Sequence, residues 1–531
     1  MSLFGQVGMY WRLALGLRKF LSEPITLEQC HEIINYGLEV RERNLLDVVR
    51  KTIYDNKNSP YLKLLKLVGC EYGDFERMVC SDGIEPALVK LAKEGVYVSI
   101  EEFKGKKEVT RGGKIFRFKE SDFDNPLLVQ YFEYRTGASR SSGTRVIMNL
   151  SRYYHHAAYS GVTLAAHSIW GSPVLLWLPI LPSAAGLGTM FRLAKMGNPP
   201  IRWFSQVEAK AVRPSLTKRL ATYYVVYAGR LFRTPLPKPE YVSLDRAYKV
   251  AGCMAGVLEK GRGCIVETYT NSAIRACHAA RERQLDISGS TFIVGGEPLT
   301  GAKLKEIRAA GAKVINQYAS ADMGLVGFGC ANPVADDDVH QFMDGSAIIQ
   351  HKRQVPSGGA AVDAFLFTSL LPAAAKILLN VESGDYGVIE KRDCGCKLGE
   401  LGLTNHIYHI QGFDKLTGEG MTFIGTDLLR IIEEVLPAKF GGASTDYQMV
   451  EEEDDKGHTH VSVVVSPEVG AIDEDELIQT ILAELSRGND TQRMMAEIWS
   501  QAKILRVKRR RPHITAGGKL LPLHIQKNKK F

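Results

Sequence analysis

Asp322 closes the run Asn316-Gln317-Tyr318-Ala319-Ser320-Ala321-Asp322, which follows Gly295-Gly296-Glu297-Pro298. These residue types suit a nucleotide. Two glycines let a flat ring approach the backbone, Tyr318 offers a face to stack on it, and the Asp322 carboxylate is a hard oxygen ligand for Mg²⁺. Upstream, residues 134–146 read YRTGASRSSGTRV and gather Thr136, Ser139, Ser141, Ser142, Gly143 and Thr144 between two apolar stretches. Consecutive backbone N–H groups and hydroxyls in such a loop can wrap a phosphate. Arg140 or Arg145 could reach the outer phosphates with a planar fork. A flexible linker is the plain alternative for this loop. Downstream, Cys330 and His340 precede Cys394-Gly395-Cys396. Four soft donors with a tight Cys-x-Cys turn can make a tetrahedral zinc site; unrelated buried thiols are the alternative.

A sheet must hold these residues. Residues 291–294 form a short apolar run, Thr300 can cap a helix with Leu304 and Ile307 on one face, and Gly311 can end it. Val314-Ile315 begins a second buried run. This pattern predicts a strand–helix–strand unit with parallel strands. Ligands in such sheets bind beyond the carboxyl ends of the strands, where both motifs fall. The first hundred residues read as helical: Ile33, Leu38, Leu45, Leu46 and Val49 recur at helical spacing. Asn58-Ser59-Pro60-Tyr61 interrupts them, and Leu62, Leu65 and Leu67 resume.

Residues 153–191 carry no Asp, Glu, Lys or Arg. Pro173, Pro179 and Pro182, with His155, His156 and His167, break that stretch, so it reads as a buried strand and core helix, not a membrane span. The sharper alternative is that part of it, near Trp170 or Trp177, walls an apolar pocket. From about Leu416 a small α/β domain is expected. Leu428, Leu429, Ile432 and Leu436 mark an amphipathic helix, and residues 447–450 and 460–465 mark paired strands. Leu477, Ile478, Ile481, Leu482 and Leu485 mark another helix, and residues 504–507 a last strand.

The 531 residues exceed one core and predict two or more domains. A net charge of +8 is modest at this length and argues against a nucleic-acid partner. No signal peptide is read at the N-terminus, and nine scattered cysteines argue for a reducing, cytoplasmic setting.

These motifs together resemble the adenylate-forming superfamily of acyl-CoA synthetases and ligases, and within it the phenylacetate–CoA ligase group. GGEP resembles the family's adenine-side loop, and QYASADMG its Tyr-Gly-x-Thr/Ser-Glu motif, with Ala321 in place of a hydroxyl residue and Asp322 in place of Glu. Residues 136–144 resemble its Ser/Thr/Gly-rich phosphate loop without the usual lysine, and SIEEFKG at 99–105 its helical opening region. Glu382-Ser383-Gly384-Asp385 resembles the Thr-Gly-Asp motif, whose Asp accepts from both ribose hydroxyls. Gln411-Gly412-Phe413-Asp414-Lys415 resembles the hinge motif, with Phe413 replacing Arg and Lys415 at the hinge. Pro512-His513-Ile514-Thr515-Ala516-Gly517-Gly518-Lys519 resembles the loop that delivers the adenylating lysine. Some relatives in the group hold a structural zinc on a Cys, a His and a later Cys-x-Cys, in the order of Cys330, His340, Cys394 and Cys396.

The resemblance implies an α/β fold. A large N-terminal ATP- and acid-binding domain of mixed sheets and helices would span 1–410, with 1–120 largely helical, and a small mobile α+β domain 411–531. It implies ATP- and Mg²⁺-dependent conversion of a carboxylic acid to an acyl-adenylate, followed by transfer to a thiol, CoA. Lys519 and Asp322 would be catalytic, and the phosphate loop, residues 295–298, residues 316–320 and Asp385 would bind ATP. An acyl-protein or carrier-protein ligase, an amide-forming ligase, and a degenerate nucleotide-binding protein without activity remain open.

Overall fold

The structure is a computed structural model. It describes all residues except 1–15, 129–131, 136–144, 182, 209–215, 233, 321, 355–360, 413–415, 419–420, 424–427, 429, 455–456, 488–489, 514–522 and 526–531. Side chains are also left undescribed for 132–135, 145–148, 216–222, 416–418, 421–423, 490–491 and 523–525.

The chain opens as expected, with helices. Thr26 and Gln29 cap the helix Leu27–Glu39 reciprocally, and Ser99 and Glu102 do the same for Ile100–Phe103. Pro60 begins the helix Pro60–Leu67, where its fixed φ and missing donor cost least. Leu45, Leu65, Phe75 and Leu88 from these helices are buried together against Phe365 and Phe367 of the main sheet.

Two hairpins follow: β1 (Val109–Arg111) with β2 (Lys114–Phe116), and β3 (Phe132–Arg135) with β4 (Arg145–Met148). The expected phosphate loop is the connection between β3 and β4, whose flanks pair Arg135 with Arg145.

The main sheet begins at β5 (Val174–Trp177), β6 (Arg202–Ser205) and β7 (Pro239–Tyr241). It continues through β8 (Ile265–Tyr269), β9 (Thr291–Gly295), β10 (Lys313–Ser320), β11 (Gly324–Gly329) and β12 (Val339–Gln341). Then come β13 (Ser346–Gln354), β14 (Ala361–Ser369), β15 (Val381–Lys391) and β16 (Asn405–Gly412). Their order is β13-β14-β15-β16-β12-β11-β10-β9-β8-β5-β6-β7. From β10 to β7 every pairing is parallel, and from β10 to β13 every pairing is antiparallel. The parallel half has the continuous apolar runs of strands covered on both faces; all four residues of β5 are buried. The helices Leu150–Ala166 and Ala185–Lys195 lie against it, so the charge-free stretch is core strand and core helix as expected. Among the described residues no helix is long and apolar enough to cross a membrane.

A short hairpin, β17 (Leu416–Gly418) with β18 (Met421–Phe423), leads to a second sheet. Its strands are β19 (Tyr447–Glu453), β20 (Thr459–Val465), β21 (Leu505–Arg509) and β22 (Leu523–Ile525), ordered β21-β20-β19-β22. Helices Glu474–Ser486 and Asp490–Ala502 cover it through Leu477, Ile481, Met494, Ile498 and Trp499. The helix expected at 428–436 is present: Leu428 and Arg430 are helical, and the chain continues through a π-helical turn, Ile431–Val435, into Leu436–Phe440. Leu428, Ile432 and Leu436 still face inward. Lys303 donates to the Thr459 hydroxyl at 3.0 Å and Arg275 to the Ala502 carbonyl at 3.1 Å, which ties this unit to the main one.

Candidate functional site

The carboxyl ends of β9 and β10 stand side by side, with Gln317 level with Gly295. A Cβ on Gly295 would lie 2.9 Å from the Gln317 carbonyl, and Gly296 has φ +80°, so both positions favour glycine. The loop beyond is clamped. Glu297 is buried, and its Oε2 accepts from the Asn271 backbone N–H at 2.8 Å, at the start of the helix Thr270–Glu282. A carboxylate there meets an unsatisfied donor and the positive end of the helix. Thr270 donates to the Glu297 carbonyl at 3.2 Å, and Lys303 to that of Pro298 at 3.3 Å.

Tyr318 points into the core, its ring 6.4 Å from that of Phe367. Its hydroxyl donates to Asp385 Oδ2 at 3.1 Å. Strands β11, β12 and β16 lie between β10 and β15 in the sheet order. Four flat strand spacings would separate the two residues by roughly 19 Å. The contact therefore requires the antiparallel half to curl over the end of β10. A register shift after Tyr318 and another after Tyr386 supply local bends. Burial, then the Asp385 charge, raise the Tyr318 phenol well above its usual range, so it remains a donor. Asn316 is turned to the Asp337 carbonyl at 3.2 Å, and the Ser320 hydroxyl accepts from Met323 N–H at 3.5 Å.

Asp322 belongs to a ring of charges. Lys104, just after the helix Ile100–Phe103, lies 3.2 Å from Asp322 Oδ2 and 3.5 Å from Glu120. Lys376 lies 3.5 Å from Glu120 and 3.1 Å from Asp124. Both ammonium groups are nearly buried and flank the Phe103 ring at 4.7 and 5.7 Å. Three carboxylates face two ammoniums. Asp322 Oδ1 is buried with no hydrogen-bond partner among the described residues, so an oxygen remains that a hard cation fits.

The four expected zinc donors come together. His340 Nε2 lies 3.1 Å from Cys396 Sγ and 3.5 Å from Cys394 Sγ, and a hydrogen bond joins Cys330 to Cys396. That bond holds Cys396 low and Cys330 high, as for a thiolate facing a thiol. His340 Nδ1 donates to the Leu403 carbonyl at 2.6 Å, which aims Nε2 at the sulfurs. A fifth donor, absent from the sequence reading, is His406. Its ligand atom lies within 4.8 Å of those of Cys330, His340 and Cys394. Its Nδ1 pairs with Asp338 Oδ1 at 2.8 Å, and its Nε2 is buried with no partner among the described residues. Burial opposes the Asp338 charge, but His406 and Arg392 outweigh it and hold the carboxyl at about 2. A carboxylate behind an imidazole with an unmet nitrogen is the usual support of a metal-bound histidine.

No family model and no curated protein matches the chain. Solved structures do. It is similar to 2-hydroxyisobutyryl-CoA ligase in complex with 2-HIB-AMP and CoA in the thioesterification state, with TM-score 0.53 and 14% identity over 92% of this chain and 89% of that one. It also matches o-succinylbenzoate CoA synthetase from Bacillus subtilis bound with a product analogue (TM-score 0.42, 13% identity, 74% and 68%). An amide bond synthetase from Marinactinospora thermotolerans matches with TM-score 0.41 and 12% identity over 90% and 92%. The first match extends over nearly the full length of both chains. The chain has the adenylate-forming ligase fold.

Within that fold, Gly295–Pro298, Asn316–Ser320 and Asp322 gather around the end of β10, and Asp385 reaches them through Tyr318. Thr136, Ser139, Ser141, Ser142, Gly143, Thr144, Lys415 and Lys519 lie outside the described residues. Of the aromatic residues expected near an acyl pocket, Trp177 is buried with Nε1 donating to the Val242 carbonyl at 3.1 Å, whereas Trp170 is partly exposed. His155 and His156 are partly buried residues of the helix Leu150–Ala166, and burial pushes His155 down to about 4.

Proposed function

We propose that this protein activates a carboxylic acid with ATP and passes the acyl group to a thiol, CoA, as phenylacetate–CoA ligases do. The observation that carries the reading is the Tyr318–Asp385 hydrogen bond. It joins two nucleotide-type motifs 67 residues apart at the carboxyl end of a parallel sheet, where such sheets hold ligands. Asp385 is purely an acceptor, suited to ribose hydroxyls, and Tyr318 fixes its orientation. Residues 295–298 and 316–320 receive the adenosine, and Thr136, Ser139, Ser141, Ser142, Gly143 and Thr144 receive the phosphates.

The acid's carboxylate oxygen attacks the α-phosphorus, a new P–O bond forms, and the bond to the β-phosphate oxygen breaks to release pyrophosphate. The thiolate sulfur then attacks the acyl carbon, and AMP leaves with the C–O bond electrons. Positioning and charge stabilisation carry the first step. Lys519 supplies an ammonium between carboxylate and phosphate, and Asp322, whose Oδ1 has no partner among the described residues, would hold Mg²⁺. Bound Mg²⁺ supplies charge neutralisation at the phosphates. Residues 1–410 bind ATP and acid, and 411–531 turn about Lys415 between the two steps. The cluster of Cys330, His340, Cys394 and Cys396, with His406 beside it, would hold zinc in a structural role, since its protein donors leave no open coordination position. None of the nine cysteines is in a disulfide, which supports a cytoplasmic setting.

The test is acid-dependent release of pyrophosphate across a panel of carboxylic acids, with CoA, a carrier protein and amines then offered as acceptors. Natively folded protein that releases pyrophosphate with no acid would refute the reading.

A further inference from the structure

The parallel half of the sheet contains a crossover point that the nucleotide motifs do not use. The chain runs outward from β5 through β6 to β7, returns to β8 beside β5, and then runs the other way through β9 to β10. The crevice between oppositely running halves opens beyond the carboxyl ends of β5 and β8. The helix Thr270–Glu282 starts there, directly after β8.

Asn271 is the second residue of that helix and is completely buried, with 0% exposure. Neither its side-chain carbonyl nor its amide nitrogen has a hydrogen-bond partner among the described residues. Gln206, just past β6, is 1% exposed. Its Nε2 donates to the Ser272 hydroxyl at 2.8 Å and to the Trp177 carbonyl at 3.1 Å, while its Oε1 has no partner among the described residues. The Ser272 bond brings Gln206 to the same helix end as Asn271. Two buried amides thus present two unmet acceptors and one unmet donor. Buried polar groups are almost always paired, and unpaired ones carry a cost.

Resting on the ligase reading above, we propose that Asn271 and Gln206 are specificity-determining residues for the acid. The substrate is a carboxylic acid carrying an uncharged group that both donates and accepts, a hydroxyl or a carboxamide. Such a group meets Asn271 Oδ1 and Nδ2 together, and a carboxamide's second N–H also meets Gln206 Oε1. A second carboxylate is disfavoured: it brings no donor to the two acceptors, and Glu297 already holds a negative charge on the Asn271 backbone N–H. An ammonium leaves Asn271 Nδ2 unmet and faces it. A plain alkyl or aryl acid leaves all three atoms unpaired. Sites built to hydrogen-bond a substrate reject analogues lacking the group far more strongly than apolar pockets reject an extra methylene.

The experiment uses matched sets of acids that differ only in a hydrogen, hydroxyl, carboxamide or amino substituent. Pyrophosphate release gives kcat/KM, and binding of the matching non-hydrolysable acyl-sulfamoyl adenosines is measured by calorimetry. Wild type should favour the hydroxyl or carboxamide members by about 10⁴-fold. Asn271→Leu, close in volume and apolar, should lose most of that preference while gaining affinity for the unsubstituted members, and Gln206→Met should lose part of the carboxamide preference. Wild type that prefers unsubstituted or amino acids overturns the inference and leaves the ligase reading standing. So does an unchanged preference in both variants. Absence of release and of binding with every member overturns the ligase reading, and the inference falls with it.

Discussion

Acidification should loosen the contact between the small α/β unit and the main one, and His458 sets the size of the effect. It follows the turn between β19 and β20, and its Nε2 lies 3.2 Å from Nδ1 of His278 on the helix Thr270–Glu282. His278 Nε2 lies 2.8 Å from Glu306. The carboxylate accepts a hydrogen bond from that N–H, so Nδ1 is an acceptor and His458 donates through Nε2. His458 Nδ1 has no partner among the described residues. Arg275, Arg281 and Glu306 approach from the main unit, and Asp454, His460 and Arg506 from the small one. Burial first, then the charges of Arg275 and His278, push His458 down to about 3, with Asp454 opposing.

The folded value lies below the free one. The contribution to stability is therefore whole above about pH 6.5 and is lost as pH falls toward 3. Between pH 7 and pH 5 the loss is ~2 kcal/mol for the full shift, and ~1 kcal/mol if solvent reaches the ring. Hydrogen–deuterium exchange over residues 270–310 and 447–465, corrected for intrinsic rates, reads the docking equilibrium. Exchange should rise roughly 5- to 30-fold from pH 7 to pH 5, and His458→Gln should flatten the dependence. Equal pH dependence in wild type and His458→Gln would show that another group controls the contact.

Four further outcomes are expected. Lys104→Met leaves three carboxylates facing one ammonium and should cost about 3–5 kcal/mol of stability by denaturant titration, with Lys104→Arg much milder; equal losses would mean charge is not the cause. Protein purified without added metal should carry about one zinc per chain by elemental analysis, lost on replacing Cys394 and Cys396 with serine; zinc that survives both replacements would place the site elsewhere. Lys519→Ala should lower acid-dependent pyrophosphate release at least ~10²-fold with ATP binding retained, and a wild-type rate would remove the lysine from the mechanism. Lys415→Pro fixes φ at the hinge and should keep pyrophosphate release while losing acyl transfer, so equal loss in both steps would count against the hinge.

The local units were legible in the sequence, and the long-range contacts were not. The β9–helix–β10 unit followed from apolar runs, a cap and a terminating glycine. The pairing of β19 with β20, and the helix Glu474–Ser486, followed from alternation and helical spacing. The helix Asp490–Ala502 went unread although Met494, Met495, Ile498, Trp499 and Ala502 carry its buried face. The strand β22 is three residues in a basic tail, too short for a pattern. The Cys-x-Cys turn announced itself, but His406 sits on an ordinary strand, and only the pairing of β12 with β16 brings it beside His340. Lys104 and Asp322 are 218 residues apart, and charge pairing at that distance leaves no trace in local spacing. The same holds for Asn271, which reads as a routine residue of a helix's first turn.

The cysteine–histidine cluster also bears on the order of events in folding. His340 and Cys396 are separated by 56 residues, and Tyr318 and Asp385 by 67, over overlapping stretches of chain. Joining the first pair through a metal roughly halves the loop that the second pair must still close, worth about 0.6 kcal/mol of chain entropy. It also brings β12 to β16 early, before the sheet has curled. Metal would then act as a template during synthesis more than as a rivet afterwards. Chains made without zinc should yield less protein with Tyr318 seated on Asp385, whereas chelation of the finished, fully packed protein should change that contact little.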